Sequence, residues 1–184
     1  SSAFNTAIGQ QALRGDSNDS SGGGNVAIGA FALTVNSSGS SNVGIGQSAL
    51  AANKTGAANI AIGGGALQYA TSSSNNVAIG VDAIICGGAD CSGYENTAVG
   101  QAAGRSISSG YSNSFIGKDS GYSISNGSSN VAFGANALQK ATSTSFNVAI
   151  GNRALHCDGG QDCFGSRNVG LGYDAGFNIS RGSN

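Results

Sequence analysis

From Asn25 the chain reads Asn-Val-Ala-Ile-Gly, and the same alternation of larger and smaller apolar positions returns along its whole length. Aligned on the asparagine, the copies begin at Asn5, Asn25, Asn42, Asn59, Asn76, Asn96, Asn113, Asn130, Asn147 and Asn168, spaced by 20, 17, 17, 17, 20, 17, 17, 17 and 21 residues. A period of two belongs to a strand, so each copy predicts one short strand after its asparagine. Recurrence at a near-fixed interval predicts a solenoid, in which a coil buries its apolar residues only by stacking on its neighbours. The expected fold is all-β: a parallel β-solenoid of about ten mostly 17-residue coils, one repeat domain over residues 1–184.

Within a coil, the positions on either side of the central one (Val26 and Ile28, Val43 and Ile45, Ile60 and Ile62) are the larger and are expected to point inward. Glycine then follows in every copy, as at a corner needing positive φ or lacking room for a Cβ. Leu13, Leu33, Leu50, Leu67, Ile84, Leu138 and Leu155 form a third core column. Gly104, Gly121 and Gly176 break it, and Ile107, Ile124 and Ile179 follow three residues later, which reads as an apolar plug shifted along the return strand so that no cavity is left. The repeated asparagine is expected to stack into an amide ladder.

The central position is the odd column: Ala27, Gly44, Ala61, Ala78, Ala98, Ala132, Ala149 and Gly170, with Ala7 and Phe115. With its neighbours pointing in, it is expected to point out. A solvated face would carry Ser, Thr, Lys or Glu, so these small residues predict a close-packed oligomer face. The competing reading is a thin coil whose neighbouring loops cover the column.

Composition sharpens the class. Thirty-two glycines, no proline and 9% charged residues are unlike an ordinary globular enzyme, yet 39% periodically placed hydrophobic residues exclude a disordered chain. Eight scattered Lys and Arg at a net charge of −1 give no stripe for nucleic acid, and no apolar run is long enough to insert in a membrane. No cofactor is expected. The acids sit mainly in turns and His156 is the only histidine, so catalysis is not expected either.

Four cysteines fall in two local pairs, Cys86 with Cys91 and Cys157 with Cys163. Cys86 and Cys157 are four coils apart, too far for a shared bridge or zinc site, so each pair is expected to close its own turn as a disulfide in an oxidising, extracellular setting. Two-thiolate metal sites are the competing reading and lack further ligands. Arg14-Gly15-Asp16 spells an integrin-binding tripeptide of the kind a Gly-rich chain produces easily. Asn18, Asn36, Asn53, Asn126 and Asn178 head glycosylation sequons in about the number chance supplies. Asp16, Asn18, Asp19, Asp158 and Asp162 offer oxygens to calcium without a full ligand set.

The Asn-Val-Ala-Ile-Gly-x-x-Ala-Leu motif resembles the head repeats of YadA-like trimeric autotransporter adhesins, and similar repeats occur in phage tail fibres. The resemblance covers all ten coils. It implies a left-handed β-roll with two short strands per coil, three chains side by side, and an extracellular adhesive or fibrous role. The expected function is that of a non-enzymatic fibrous surface protein mediating attachment or forming a fibre shaft, with a glycan or protein target met by turn aromatics such as Tyr69, Tyr94, Tyr111, Tyr122 and Phe164. A self-assembling head-to-tail filament or a phage tail-fibre segment is the alternative. A second copy placed after Asn184 would set its Asn5 21 residues beyond Asn168, a spacing the chain already uses, so end-to-end stacking is also expected.

Overall fold

The computed structural model describes residues 4–15, 22–86, 91–157 and 165–177. Each asparagine is followed by a three-residue strand: β1 (Thr6–Ile8), β2 (Val26–Ile28), β3 (Val43–Ile45), β4 (Ile60–Ile62), β5 (Val77–Ile79), β6 (Thr97–Val99), β7 (Ser114–Ile116), β8 (Val131–Phe133), β9 (Val148–Ile150) and β10 (Val169–Leu171). They form one parallel sheet in sequence order, each residue pairing with its counterpart in the next copy, as Val26 with Val43 and Ala27 with Gly44. This is the β-solenoid that the repeat predicts.

The return path differs from expectation. Instead of a second strand, each coil comes back through a run of turns in which left-handed residues recur, as at Phe31 (φ 61°) and Leu33 (φ 49°). A bulky residue there costs about 1–2 kcal/mol. Inter-coil hydrogen bonds offset it: Leu33 N–H donates to the Ala49 carbonyl (3.0 Å) in the coil ahead, while Ser48 N–H donates to the Ala30 carbonyl (2.9 Å) in the coil behind. The turns are therefore laddered as continuously as the strands. At the corner after β3, Gly46 has φ 129°, and a Cβ would lie 2.6 Å from the Gly63 carbonyl oxygen, so both the conformation and the approach of the next coil demand glycine.

The asparagines form the expected ladder. Asn42 donates its backbone N–H (2.9 Å) and its Nδ2 (3.2 Å) to Asn25 Oδ1, and Nδ2 also reaches the Gly56 carbonyl (2.8 Å). Asn59 repeats the pattern on Asn42, and so on to Asn168 on Asn147. From Asn25 to Asn147 these side chains are buried. In the second and third coils a parallel ladder runs beside it, with Asn53 Nδ2 donating to Asn36 Oδ1 (2.9 Å). It ends at Ala70, which leaves Asn53 Oδ1 buried and unpaired.

The orientation of the strands reverses the expectation drawn from side-chain size. Ala27, Ala61, Ala78, Ala98, Phe115, Ala132 and Ala149 are fully buried in the chain's own core, and Gly44 and Gly170 are buried with them. The Val and Ile columns point outward. The cause is the leucine column, which fills the thin interior from the opposite wall: a Cβ on Gly44 would already lie 3.4 Å from Leu33 Cδ1, and one on Gly170 2.8 Å from Leu155 Cγ. Only Ala or Gly fits behind such a leucine.

Phe115 shows the same constraint from the other side. This large side chain occupies the Ala column, and the coils around it are two of those that replace leucine by glycine. A Cβ on Gly121 would lie 2.6 Å from the Phe115 ring, and one on Gly104 3.1 Å from it. Ile107 and Ile124, both buried, complete the filling, so the shifted plug is real and acts together with Phe115. Ile179 lies outside the described residues.

Phe115→Ala is expected to destabilise the protein by about 3–5 kcal/mol, since the cavity cannot collapse between ladders. Gly121→Ala, which drives a methyl into the ring, should destabilise alone and do so much less in the Phe115→Ala background. Denaturant unfolding of both single variants and the double variant measures this coupling; additive effects would mean that the two residues do not share one space. Ala70→Asn should extend the second amide ladder onto Asn53 Oδ1 and raise stability by about 1 kcal/mol in the same assay.

Candidate assembly face

Because small residues fill the interior, the larger apolar ones form the outer face of the sheet. Ile60, Ile62, Ile79, Ile116, Phe133 and Ile150 are 36–42% exposed, and Val26, Ile28, Val43, Ile45 and Val77 are half-buried by their neighbours along the stripe. Thr6, Thr97 and Ser114 are its polar members. With nine inter-strand steps of about 4.8 Å, the stripe runs about 43 Å. A sheet facing water on one side normally alternates apolar inward with polar outward. Here both faces are apolar, and a contiguous patch of this size marks a surface that packs against something.

The sequence placed the assembly face on Ala27, Gly44, Ala61, Ala78, Ala98, Ala132, Ala149 and Gly170. That placement is corrected: those residues are core, and the same strands offer their Val and Ile columns instead. At the sheet's ends, neither β1 nor β10 has a strand partner on its outer side among the described residues.

The turns carry the remaining candidates. Cys86 and Cys91 form a disulfide with their Cα atoms 6.1 Å apart, and Ala70 pairs with Cys91 in an isolated parallel bridge that anchors the turn to the coil behind. Cys157 is also disulfide-bonded, while Cys163, its expected partner, lies outside the described residues. The long coils leave a trace one coil upstream. Where a coil of ordinary length follows, Gly39 stands so close that a Cβ would lie 2.5 Å from the Gly56 carbonyl oxygen; Ser73 and Thr144 occupy that place only before the two cysteine-bearing coils. Their hydroxyls are buried without partners, as expected where the next coil has moved off.

Tyr94 and Tyr111 are exposed and stack on each other across adjacent coils, ring centroids 5.1 Å apart and 3° from parallel. Tyr122 lies under the Arg105 guanidinium (5.5 Å), Tyr69 is exposed, and Phe164 lies outside the described residues. His156 stacks on Phe177 (5.5 Å), with its Nδ1 3.3 Å from the Asn136 carbonyl. Arg153 beside it reaches Asp174 at 3.2 Å. Among the sequons, Asn36 and Asn53 are buried with their Nδ2 atoms donating to the Gly39 (2.9 Å) and Gly56 (3.1 Å) carbonyls, so neither offers its amide to a modifying enzyme. Asn126 is exposed, its Oδ1 accepting from the Ser108 (3.1 Å) and Ser109 (3.0 Å) hydroxyls. Asp16 of the Arg-Gly-Asp triplet, Asn18, Asp19, Asp158, Asp162 and Asn178 lie outside the described residues.

Reducing the Cys86–Cys91 bridge releases only a short loop, so Cys86→Ala with Cys91→Ala should cost about 2 kcal/mol and leave the sheet intact. Circular dichroism against temperature checks this; loss of the strand signature at room temperature would give the bridge a larger role. No helix among the described residues is long and apolar enough to cross a membrane. Comparison with protein-family models, with curated proteins and with solved structures returned no match for this chain.

Proposed function

We propose that this chain is the β-roll of a non-enzymatic extracellular fibrous surface protein that assembles side by side with copies of itself. The supporting observation is the outer Val and Ile stripe, which is too long and too apolar to be a solvated face. The number of chains, three, and the adhesive role come from the resemblance to YadA-like head repeats; a phage fibre shaft shares the same architecture. The disulfide between Cys86 and Cys91 favours an oxidising compartment. The only histidine is stacked and hydrogen-bonded within the fold, which favours a structural role for it. A glycan or protein target would be met in the turns, outside the stripe.

A head-to-tail filament is the second reading, favoured by the lack of a strand partner on the outer sides of β1 and β10 among the described residues. Electron microscopy separates discrete particles from long fibres.

Ile62→Lys with Ile79→Lys places two charges on the stripe and touches no core position. It should lower the mass measured by light scattering to that of one 17.8 kDa chain while the strand signature persists. Ala78→Arg forces a guanidinium into the packed interior and should instead unfold the surrounding coils, a loss of several kcal/mol. An unchanged mass for the lysine variant would sink the assembly reading.

A further inference from the structure

On the turn side of the coils, the positions nine and ten residues after each asparagine form two columns. In two places the first of these is a stacking column. Arg105 lies over Tyr122, and His156 stacks on Phe177, each pair one coil apart. In the third coil the two positions are Ala51 and Ala52, between Thr34 and Val35 in the coil behind and Gln68 and Tyr69 in the coil ahead. The result is an open groove of about 260 Å³ with Phe31 at its margin. In the second column the small Ala52 leaves a gap between the larger Val35 and Tyr69.

We infer that this groove is a binding site for a small planar aromatic molecule, which inserts edge-on over Ala51 and Ala52 and stacks on Tyr69. The dimensions fit one ring. Two coil steps of about 4.8 Å separate the flanking residues by about 9.6 Å. A flat ring in contact at about 3.5–4.0 Å on each side takes about 7–8 Å and fits within that gap. The lining chooses the class of ligand. Val35, Phe31, Ala51 and Ala52 are apolar, the Thr34 hydroxyl already donates to the Phe31 carbonyl (2.6 Å), and Gln68 supplies the one side-chain amide of the lining. A sugar ring would find only that amide for the hydroxyls it turns into the groove, and the water they lose costs more than stacking returns. An aromatic ring gains both the burial and the kind of stacking that the chain uses in the neighbouring column. The groove is formed by turn residues and shares none with the Val and Ile stripe, so this site stands independently of the assembly proposed above.

Indole, titrated into the assembled protein and followed by amide shift mapping and saturation-transfer NMR, should perturb Val35, Ala52 and Tyr69. Methyl glucoside should perturb none of them at the same concentration. Ala52→Phe, which fills the gap from the chain itself, should abolish the effect; because Ala52 is partly exposed and only its backbone N–H is bonded, to the Gln68 carbonyl, the sheet should be unaffected. Tyr69→Ala should weaken indole about tenfold, and it provides the test should Ala52→Phe fold poorly. Indole shifts confined to the strand residues, undiminished binding to both variants, or equal binding of the glucoside would overturn the assignment.

Discussion

The amide ladder is the interaction on which the rest of the molecule depends. From Asn25 to Asn147 each asparagine oxygen receives two donors from the next coil, and from Asn5 to Asn130 each Nδ2 closes its own coil by reaching a carbonyl on the return path, as Asn42 does with Asn25 and Gly56. One side chain thus fixes both the distance between coils and the circumference of a coil. Buried in a low-dielectric interior, such a network is strong when complete and costly when broken. Length variation is therefore confined to places the ladder does not touch. The additional residues of the 20- and 21-residue coils fall in the turn between the leucine column and the next asparagine, and their nearest cost is paid upstream in the unpartnered hydroxyls of Ser73 and Thr144.

A coil of this circumference encloses room for one large side chain per rung. Leucine takes it in most coils, from a left-handed position that its burial and its bond to the next coil hold in place. The facing strand position must then be small. Phe115 takes the room from the other wall, and the leucine sites of its coil and the one before become glycine. The two arrangements are alternative solutions to the same volume, and the large side chain can come from either wall but not from both. Since inward residues on the strand are held to Ala and Gly, the β-branched residues that favour an extended backbone have only the outer face to occupy. The apolar outer stripe is thus partly a consequence of the thin core.

Much of this was legible in the sequence, because every feature repeating at the coil spacing reports a stacked column. The ten strands, the corner glycines, the leucine column, the isoleucine plugs and the amide ladder all followed from register. The direction in which the strands face did not. Alternation establishes that two faces exist without saying which is inside, and the usual preference for large residues inward fails when the opposite wall fills the interior first. Phe115 held the missing signal: the large exception in the small column sits beside Gly104 and Gly121, and such size compensation occurs only between residues that meet. The groove at Ala51 and Ala52 was hidden for a different reason, as it exists only when the turn columns of three coils are superposed and compared by size.

A division of labour follows for the surface. The strand face is uniform because each position pairs with its counterpart in the next coil, so its Val and Ile columns vary little from coil to coil, Thr6, Thr97 and Ser114 apart. The turns are tied by backbone hydrogen bonds whose pattern is indifferent to side chains, as with Leu33 to Ala49 and Ser48 to Ala30, and their outward residues range from Ala51 to Tyr69, Arg105 and Tyr122. A rigid ladder that presents variable side chains at fixed spacing can stack them where they are large and leave a slot where they are small. In such a fold the sizes of neighbouring turn residues shape the turn surface, while the strands and the amide ladder fix its spacing.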